Sequence, residues 1–287
     1  MATNTPFGQR LGLVLEGGAM RGIYTAGVLD VFLEAGIMPD VVVGVSAGAL
    51  HGCSYVAGQK GRSIRYYRKY RSDKHFMGLY SLLTTGDVVG TKFCYEDIPL
   101  RLDPFNEAAF EKAPVDFYVT VTNVRTGKPE YILCDELKVG SKMDVIRAGA
   151  SMPLCSKMVE WNGNLYLDGG VRDSIPYAKM KDFGCRKSIV VLTQPAGYLK
   201  QPAAMAPFEA MYRKYPAFVE AMRGRDQMYN TEVCAVEQAA KQGDVFLIRP
   251  SKLLHVGRME HDIEVLNAQY ELGRQDARNQ MDAMREW

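Results

Sequence analysis

Apolar residues along this chain gather in short unbroken runs rather than in strict alternation. Leu11-Gly12-Leu13-Val14-Leu15, Val41-Val42-Val43 and Ser188-Ile189-Val190-Val191-Leu192 have the form of strands buried on both faces. Between the first two, Ile23 to Leu33 carries helical spacing, and a helix-compatible stretch follows residue 46. Phe117 to Val121 and Glu130 to Leu133 predict further strands, while Met143 to Ala150 and Pro176 to Phe183 predict helices. Asn162-Gly163 stands between the apolar runs Met158 to Trp161 and Leu165 to Leu167, which is the pattern of a two-residue hairpin. This alternation predicts an α/β fold with a central, mainly parallel sheet flanked by helices on both faces.

Beyond Thr193 the pattern changes. Gln194-Pro195-Ala196-Gly197, Pro202 and Pro207 form a proline-bearing connection into a helix-rich tail, broken by the strand-like Val245-Phe246-Leu247-Ile248. From His261 to Trp287, Ile263, Leu266, Tyr270 and Leu272 recur among charges as on a surface helix. We expect a catalytic domain over residues 9–200 and a mostly helical extension over 201–287 packed on the same domain. There is no internal repeat and no low-complexity segment.

Composition narrows the classes. The 287 residues are 47% hydrophobic, enough for a substantial core, and the net charge is only +2, so nucleic acid is not an expected partner. One local bias stands out: Lys60, Arg62, Arg65, Arg68, Lys69, Arg71 and Lys74 crowd segment 60–74 together with Tyr66, Tyr67 and Tyr70. Such a stretch is most simply a solvated helix face, and it could also rest on an anionic membrane surface. Met1 to Pro6 has no basic and apolar signal pattern, and no run reaches the roughly 18 apolar residues that span a bilayer. Six scattered cysteines without a CxxC pair suggest free thiols in a reducing cytoplasm, with peripheral membrane contact at most. Cys155 reads as a small buried residue or a reactive thiol. No acidic cluster has metal-loop spacing, so neither a metal nor another cofactor is expected.

Three segments carry chemistry. Gly44-Val45-Ser46-Ala47-Gly48 follows an apolar strand and precedes a helix, so Ser46 would sit on a tight turn with its hydroxyl facing outward. Upstream, Glu16-Gly17-Gly18-Ala19-Met20-Arg21-Gly22 is a glycine-rich turn opening a helix, where free amides at the positive end of the helix dipole can hold an oxyanion. Ala19 breaks the dinucleotide spacing and no G-K-[ST] follows, so neither nucleotide motif is met. Downstream, Asp168-Gly169-Gly170 closes the second hairpin strand and could equally be an ordinary turn. A serine needs a positioned base. Asp168 is one candidate, and His51, His75, His255 and His261 are the others; Ser46, Asp168 and then His255 or His261 follow the chain order of a hydrolase triad. His51, five residues after Ser46 on the same helix, is expected to pack there.

In this order the three motifs, with Ala150-Ser151-Met152-Pro153 between the second and third, resemble the patatin-like phospholipase family over about Leu11 to Pro176. The resemblance implies a three-layer fold and a serine hydrolase that cleaves lipid acyl esters. It maps Ser46 to the nucleophile and Asp168 to the base of a dyad without histidine. It maps the loop around Gly17, Gly18 and Ala19 to the oxyanion hole, with Arg21, Gly22, Gly44, Gly48, Gly169 and Gly170 in support. Ala19, where plant members usually carry glycine, and Glu16, where aspartate is common, depart from the family pattern. Met20, Met77 and the span Phe76 to Tyr80 could line an acyl pocket or belong to the core. Two readings stay beside this one: a non-catalytic lipid-binding or regulatory protein with the same fold, and a thioesterase or peptidase using the same nucleophile.

Overall fold

The computed structural model, which describes residues 10–287, sets the apolar runs side by side in one mixed eight-stranded sheet. Met1 to Pro6, on which the absence of a secretory signal rests, and residue 9, the first of the expected catalytic domain, lie outside the described residues. The strands are β1 (Arg10–Leu15), β2 (Val41–Val45), β3 (Asp116–Asn123), β4 (Pro129–Leu133), β5 (Val159–Trp161), β6 (Asn164–Asp168), β7 (Cys185–Val191) and β8 (Val245–Ile248). Hydrogen-bonded neighbours follow the order β5-β6-β3-β2-β1-β7-β8, with β4 also on β3. The five strands β1, β2, β3, β7 and β8 run parallel, and β4, β5 and β6 pair antiparallel.

Both faces of the sheet are dry, which is why its strands read as continuous apolar runs. Leu13, Leu15 and Val42 pack on one side with Tyr24, Phe32 and Phe117, whereas Val14, Val41 and Val43 pack on the other with Val190, Tyr229 and Val236. The layer on the first side includes α1 (Ile23–Glu34) and α2 (Ala47–Val56), each directly after a parallel strand. The polar, aromatic stretch that follows holds α3 (Arg62–Tyr70), α4 (Leu79–Thr85), a π-helical segment Phe93–Leu102 and α5 (Glu107–Lys112). Then come α6 (Met143–Gly149), α7 (Ala206–Met211), α8 (Pro216–Arg223), α9 (Arg225–Gln242), α10 (Ile263–Asn279) and α11 (Met281–Glu286).

The hairpin forms as its turn residues require: Asn162 and Gly163 both take positive φ, 46° and 74°, the pair a two-residue hairpin turn needs. The helix expected over Pro176 to Phe183 is only a 3-10 turn, Ala178–Lys181, because Gly184 at φ 79° stops it. The final helix breaks at Gln280.

The tail is built into the same body. β8 extends the sheet along β7, and α10 lies against α1 at a spacing that only glycine allows. A Cβ on Gly27 would stand 2.1 Å from the Tyr270 carbonyl oxygen, and one on Gly273 would stand 2.1 Å from that of Tyr24. Tyr24 Oη donates to Asp276 at 3.0 Å and Tyr270 Oη to Asp30 at 2.6 Å, satisfying polar groups inside this contact.

Two arginines of the basic segment turn inward, and a third is tied to a buried carboxylate from the surface. Arg62 is buried and donates to Ser54 Oγ and the Asp103 carbonyl, Arg65 forks onto the Asp103 carboxylate at 2.6 and 2.8 Å, and buried Arg71 donates to the Glu260 and Met259 carbonyls. Lys60, Arg65, Arg68, Lys69 and Lys74 remain on the surface. Segment 60–74 therefore fastens α3 to its neighbours as well as facing solvent.

Candidate active site

Strand pairing brings Ser46 and Asp168 together. β4 occupies one edge of β3 across Tyr118 to Thr122, so β2 and β6 must share the other. β2 pairs with β3 up to Val45 opposite Thr120, and β6, running the opposite way, ends with Asp168 opposite Val121, the next position. The carboxyl ends of β2 and β6 thus meet head on, with Ser46 the first residue beyond one and Asp168 the last of the other.

Ser46 caps α2 with φ 52° and ψ −123°, a conformation that costs a side-chain-bearing residue about 1–3 kcal/mol. The surroundings hold it there. A Cβ on Gly48 would fall 2.3 Å from the Leu15 carbonyl oxygen, and one on Gly17 would fall 2.8 Å from Ser46 Cβ. Gly44, Gly22 and Gly169 are equally confined, against Ala49, Ala47 and Thr120 respectively. The glycines of all three motifs exist so that three loops can converge on one serine.

In the upstream loop Gly17 and Gly18 precede a short 3-10 turn, Ala19–Gly22, at the start of α1. Their amides make no hydrogen bond among the described residues and are free to donate. Ala19 reaches its place only at φ 48°, a left-handed value that glycine would take without cost. Glu16 closes the base of the loop: wholly buried, it accepts from the Thr193 amide at 2.5 Å and from Tyr229 Oη at 2.9 Å.

Asp168 is buried, and its Oδ1 accepts from the Gly170 amide at 2.8 Å. Burial lifts its carboxyl above the usual carboxylate range, while the Ser46 hydroxyl, the Arg225 guanidinium and the Gly170 amide restrain the rise. Arg225 is fixed by a 2.6 Å bond from Nε to the Gly170 carbonyl. The loop beyond is pinned by Glu232, which accepts from the Ser174 and Ile175 amides at 3.1 and 3.0 Å; burial and the nearby Asp173 carboxyl push it up to about 9. Ser46, the buried Asp168 carboxyl, Gly17 and Gly18 line one cavity, and a serine, a raised carboxyl and two unbonded amides suit nucleophilic acyl transfer.

Two cavities open on this point, and Ala19, Ser46 and Met152 line both. One is the more polar of the two, and its lining includes Arg21, Lys200, Arg225, Tyr229 and Arg258. The other runs between α3 and the π-helical segment and is lined mainly by apolar side chains, among them Met20, Tyr67, Phe76, Met77 and Ile98. Met20, Phe76 and Met77 thus serve as core and as lining together, whereas Tyr80 faces solvent. Cys155 lies partly exposed in the polar cavity, and all six cysteines are free thiols.

None of the four histidines lines either cavity. His51 is buried with both ring nitrogens unbonded and is pushed down to about 3 by that burial; His75 pairs with Asp73; His255 and His261 are exposed. Sequence patterns missed Lys200, Arg225, Tyr229, Glu232 and Arg258. No motif marks them: Arg225, Tyr229 and Glu232 arrive on α9, Lys200 lies in the connection before α7, and Arg258 in the loop between β8 and α10.

A family model described as patatin-like phospholipase matches residues 13–180, and a second, described as a domain of unknown function (DUF6363), matches residues 215–287. The uncharacterized protein YjjU of Escherichia coli is 28% identical over 92% of this chain and 75% of its own. Lysophospholipase nte1 of Aspergillus terreus is 30% identical over 62% of this chain, and the match spans 11% of that much longer protein. Among solved structures, VipD from Legionella pneumophila has a TM-score of 0.49 at 14% identity, covering 98% of this chain and 69% of that one.

Proposed function

This chain belongs to the patatin-like phospholipase family, and from that membership we propose that it is a serine hydrolase cleaving lipid acyl esters through an acyl-enzyme on Ser46, with Asp168 as the base. Family membership and the lysophospholipase relatives support a lipid ester hydrolase. The observation that favours the dyad is the head-on meeting of β2 and β6, which leaves Ser46 with a buried carboxylate and no histidine. Ser46 Oγ attacks the ester carbonyl while its proton passes to Asp168, the oxyanion is held by the Gly17, Gly18 and Ala19 amides, and Asp168 then protonates the leaving alcohol. Water, deprotonated by Asp168, releases the acid and restores the serine. The acyl chain lies in the apolar cavity.

Hydrolysis of matched lysophospholipid, acyl thioester and peptide substrates tests the substrate class. We expect kcat/KM for the ester to exceed that for the peptide by ~10³-fold or more; preference for thioester or peptide would move the protein to another acyl-transfer class.

We place it in the cytoplasm, touching membranes peripherally; no helix among the described residues is long and apolar enough to cross one. The docking surface centres on α4, whose Leu79 and Leu83 are 70% and 77% exposed and whose Tyr80 ring lies under the surface residue Lys74. The flanking Met77 and Val89 bridge to each other and line the apolar cavity, so lipid would enter close by. Leu79→Asp with Leu83→Asp should weaken binding to anionic vesicles by about tenfold or more in a sedimentation assay. Undiminished binding would exclude this surface.

A further inference from the structure

The glycine-rich loop before α1 is strained, and part of what restrains it comes from the tail. Ala19 sits at φ 48°, a left-handed value that a residue with a side chain keeps only where its surroundings over-determine it. The first half of the loop is held from the end of β7. There the Thr193 hydroxyl donates to the Gly17 carbonyl at 3.2 Å, and a Cβ on Gly18 would fall 2.7 Å from Thr193 Oγ1. The second half, the turn Ala19–Gly22, closes on itself through the Arg21 amide, which donates to the Gly18 carbonyl at 3.1 Å. Among the described residues, the side chain that bonds this turn's backbone from another element is Gln269 of α10, whose Nε2 donates to the Arg21 carbonyl at 3.3 Å.

Gln269 is buried and lines neither cavity, so it acts on the loop and not on a bound molecule. The backbone that carries it is fixed. The next residue, Tyr270, is where α10 comes within 2.1 Å of a Cβ built on Gly27, and its hydroxyl is bonded to Asp30. The turn's last residue, Gly22, is also pressed against α2, since a Cβ there would stand 2.6 Å from Ala47 Cβ and 3.3 Å from His51 Nε2. The turn is thus wedged between the helix that follows Ser46 and a helix that the tail supplies. Gln269 Oε1 is buried without a hydrogen-bond partner, which is unfavourable. An apolar side chain of similar length would fill the place without that penalty, so what the glutamine adds is its donor.

We propose that Gln269 is a positioning residue through which the tail holds the oxyanion loop in its working shape, offsetting the strain at Ala19. This rests on the ester-hydrolase reading, and it gives the part of the chain matched as a domain of unknown function a role in turnover. By holding the Arg21 carbonyl, Gln269 keeps the Gly17, Gly18 and Ala19 amides aimed at one point. Those amides bond a developing oxyanion more strongly than a neutral ester carbonyl, so a misaimed loop lowers kcat and leaves KM nearly unchanged.

The test compares wild type with Gln269→Met in hydrolysis of a lysophospholipid. We expect kcat to fall ~10–50-fold while KM stays within about threefold and Tm within about 5 °C of wild type. Gln269→Asn, one methylene too short to reach the Arg21 carbonyl, should show the same split and carries the test if the methionine variant does not fold. A long-chain trifluoromethyl ketone accepts Ser46 Oγ at its carbonyl carbon while Asp168 takes the proton, which leaves a charged oxygen among the loop amides. It should bind Gln269→Met about tenfold or more weakly, whereas the non-hydrolysable ether analogue of the substrate should bind within about threefold of wild type. In an Ala19→Gly background the loss caused by Gln269→Met should shrink to less than about threefold, because glycine takes φ 48° without strain. Unchanged kcat, equal weakening of ketone and ether, or the same loss in both backgrounds overturns the positioning role while leaving ester hydrolysis in place. A wild type that neither turns over the ester nor prefers the ketone to the ether overturns the hydrolase reading and this inference with it.

Discussion

Asp168→Asn lowers kcat for lipid ester hydrolysis by ~10³-fold or more, and Ser46→Ala by at least as much, with both proteins folded. The asparagine is nearly isosteric and can still accept from the Gly170 amide, so the loop keeps its shape and only proton acceptance is lost. The reaction should also report its base through pH. Burial holds the Asp168 carboxyl above the usual carboxylate range, and the dyad works only when that carboxyl is ionised. The rate therefore rises with pH along a limb displaced upward from an ordinary aspartate. Arg225 stabilises the ionised form, so Arg225→Gln should shift the limb to still higher pH. An Asp168→Asn protein retaining more than about a tenth of wild-type kcat, or a limb that follows histidine substitutions, would contradict the assignment.

Gly273→Val destabilises the protein by about 3–5 kcal/mol, the second large effect. The first added carbon would already meet the Tyr24 carbonyl oxygen at 2.1 Å, and this is backbone, which cannot rotate aside. Relief requires α10 to move off α1, breaking the Tyr24–Asp276 and Tyr270–Asp30 hydrogen bonds inside the contact. Because the polar cavity includes residues from the tail, activity and stability should fall together. Thermal unfolding followed by circular dichroism measures the loss; a Tm within about 2 °C of wild type would mean that the tail is docked loosely.

The parts of this molecule that could be read in advance are those with local causes. Strands buried on both faces announce themselves as apolar runs, as at Val41 to Val43, and Asn162-Gly163 fixes a hairpin by backbone preference alone. The glycines around Ser46 were legible for the same reason, since each marks a place where backbone passes too near for a Cβ. What stayed hidden depends on long-range contact. Arg225 and Tyr229 sit on α9 without any motif, and they matter only because that helix crosses the carboxyl ends of β1 and β6. Segment 60–74 reads as a uniformly basic face, yet Asp103, some forty residues on, holds Arg62 in the interior and clasps Arg65 at the surface. Pro176 to Phe183 has helical composition, and Gly184 cuts it to one turn.

The most direct measurement is reaction of the purified protein with a fluorophosphonate, with the adduct located by peptide mass spectrometry. Wild type, Asp168→Asn and the His255→Ala/His261→Ala double variant should be compared. The dyad predicts one adduct, on Ser46, formed at the wild-type rate in the histidine variant and at least about a hundredfold more slowly in Asp168→Asn. Labelling elsewhere, or none on folded protein, would contradict a serine nucleophile at the junction of β2 and β6 and favour a lipid-binding role for the fold; labelling that fails only without the histidines would replace the dyad with a triad.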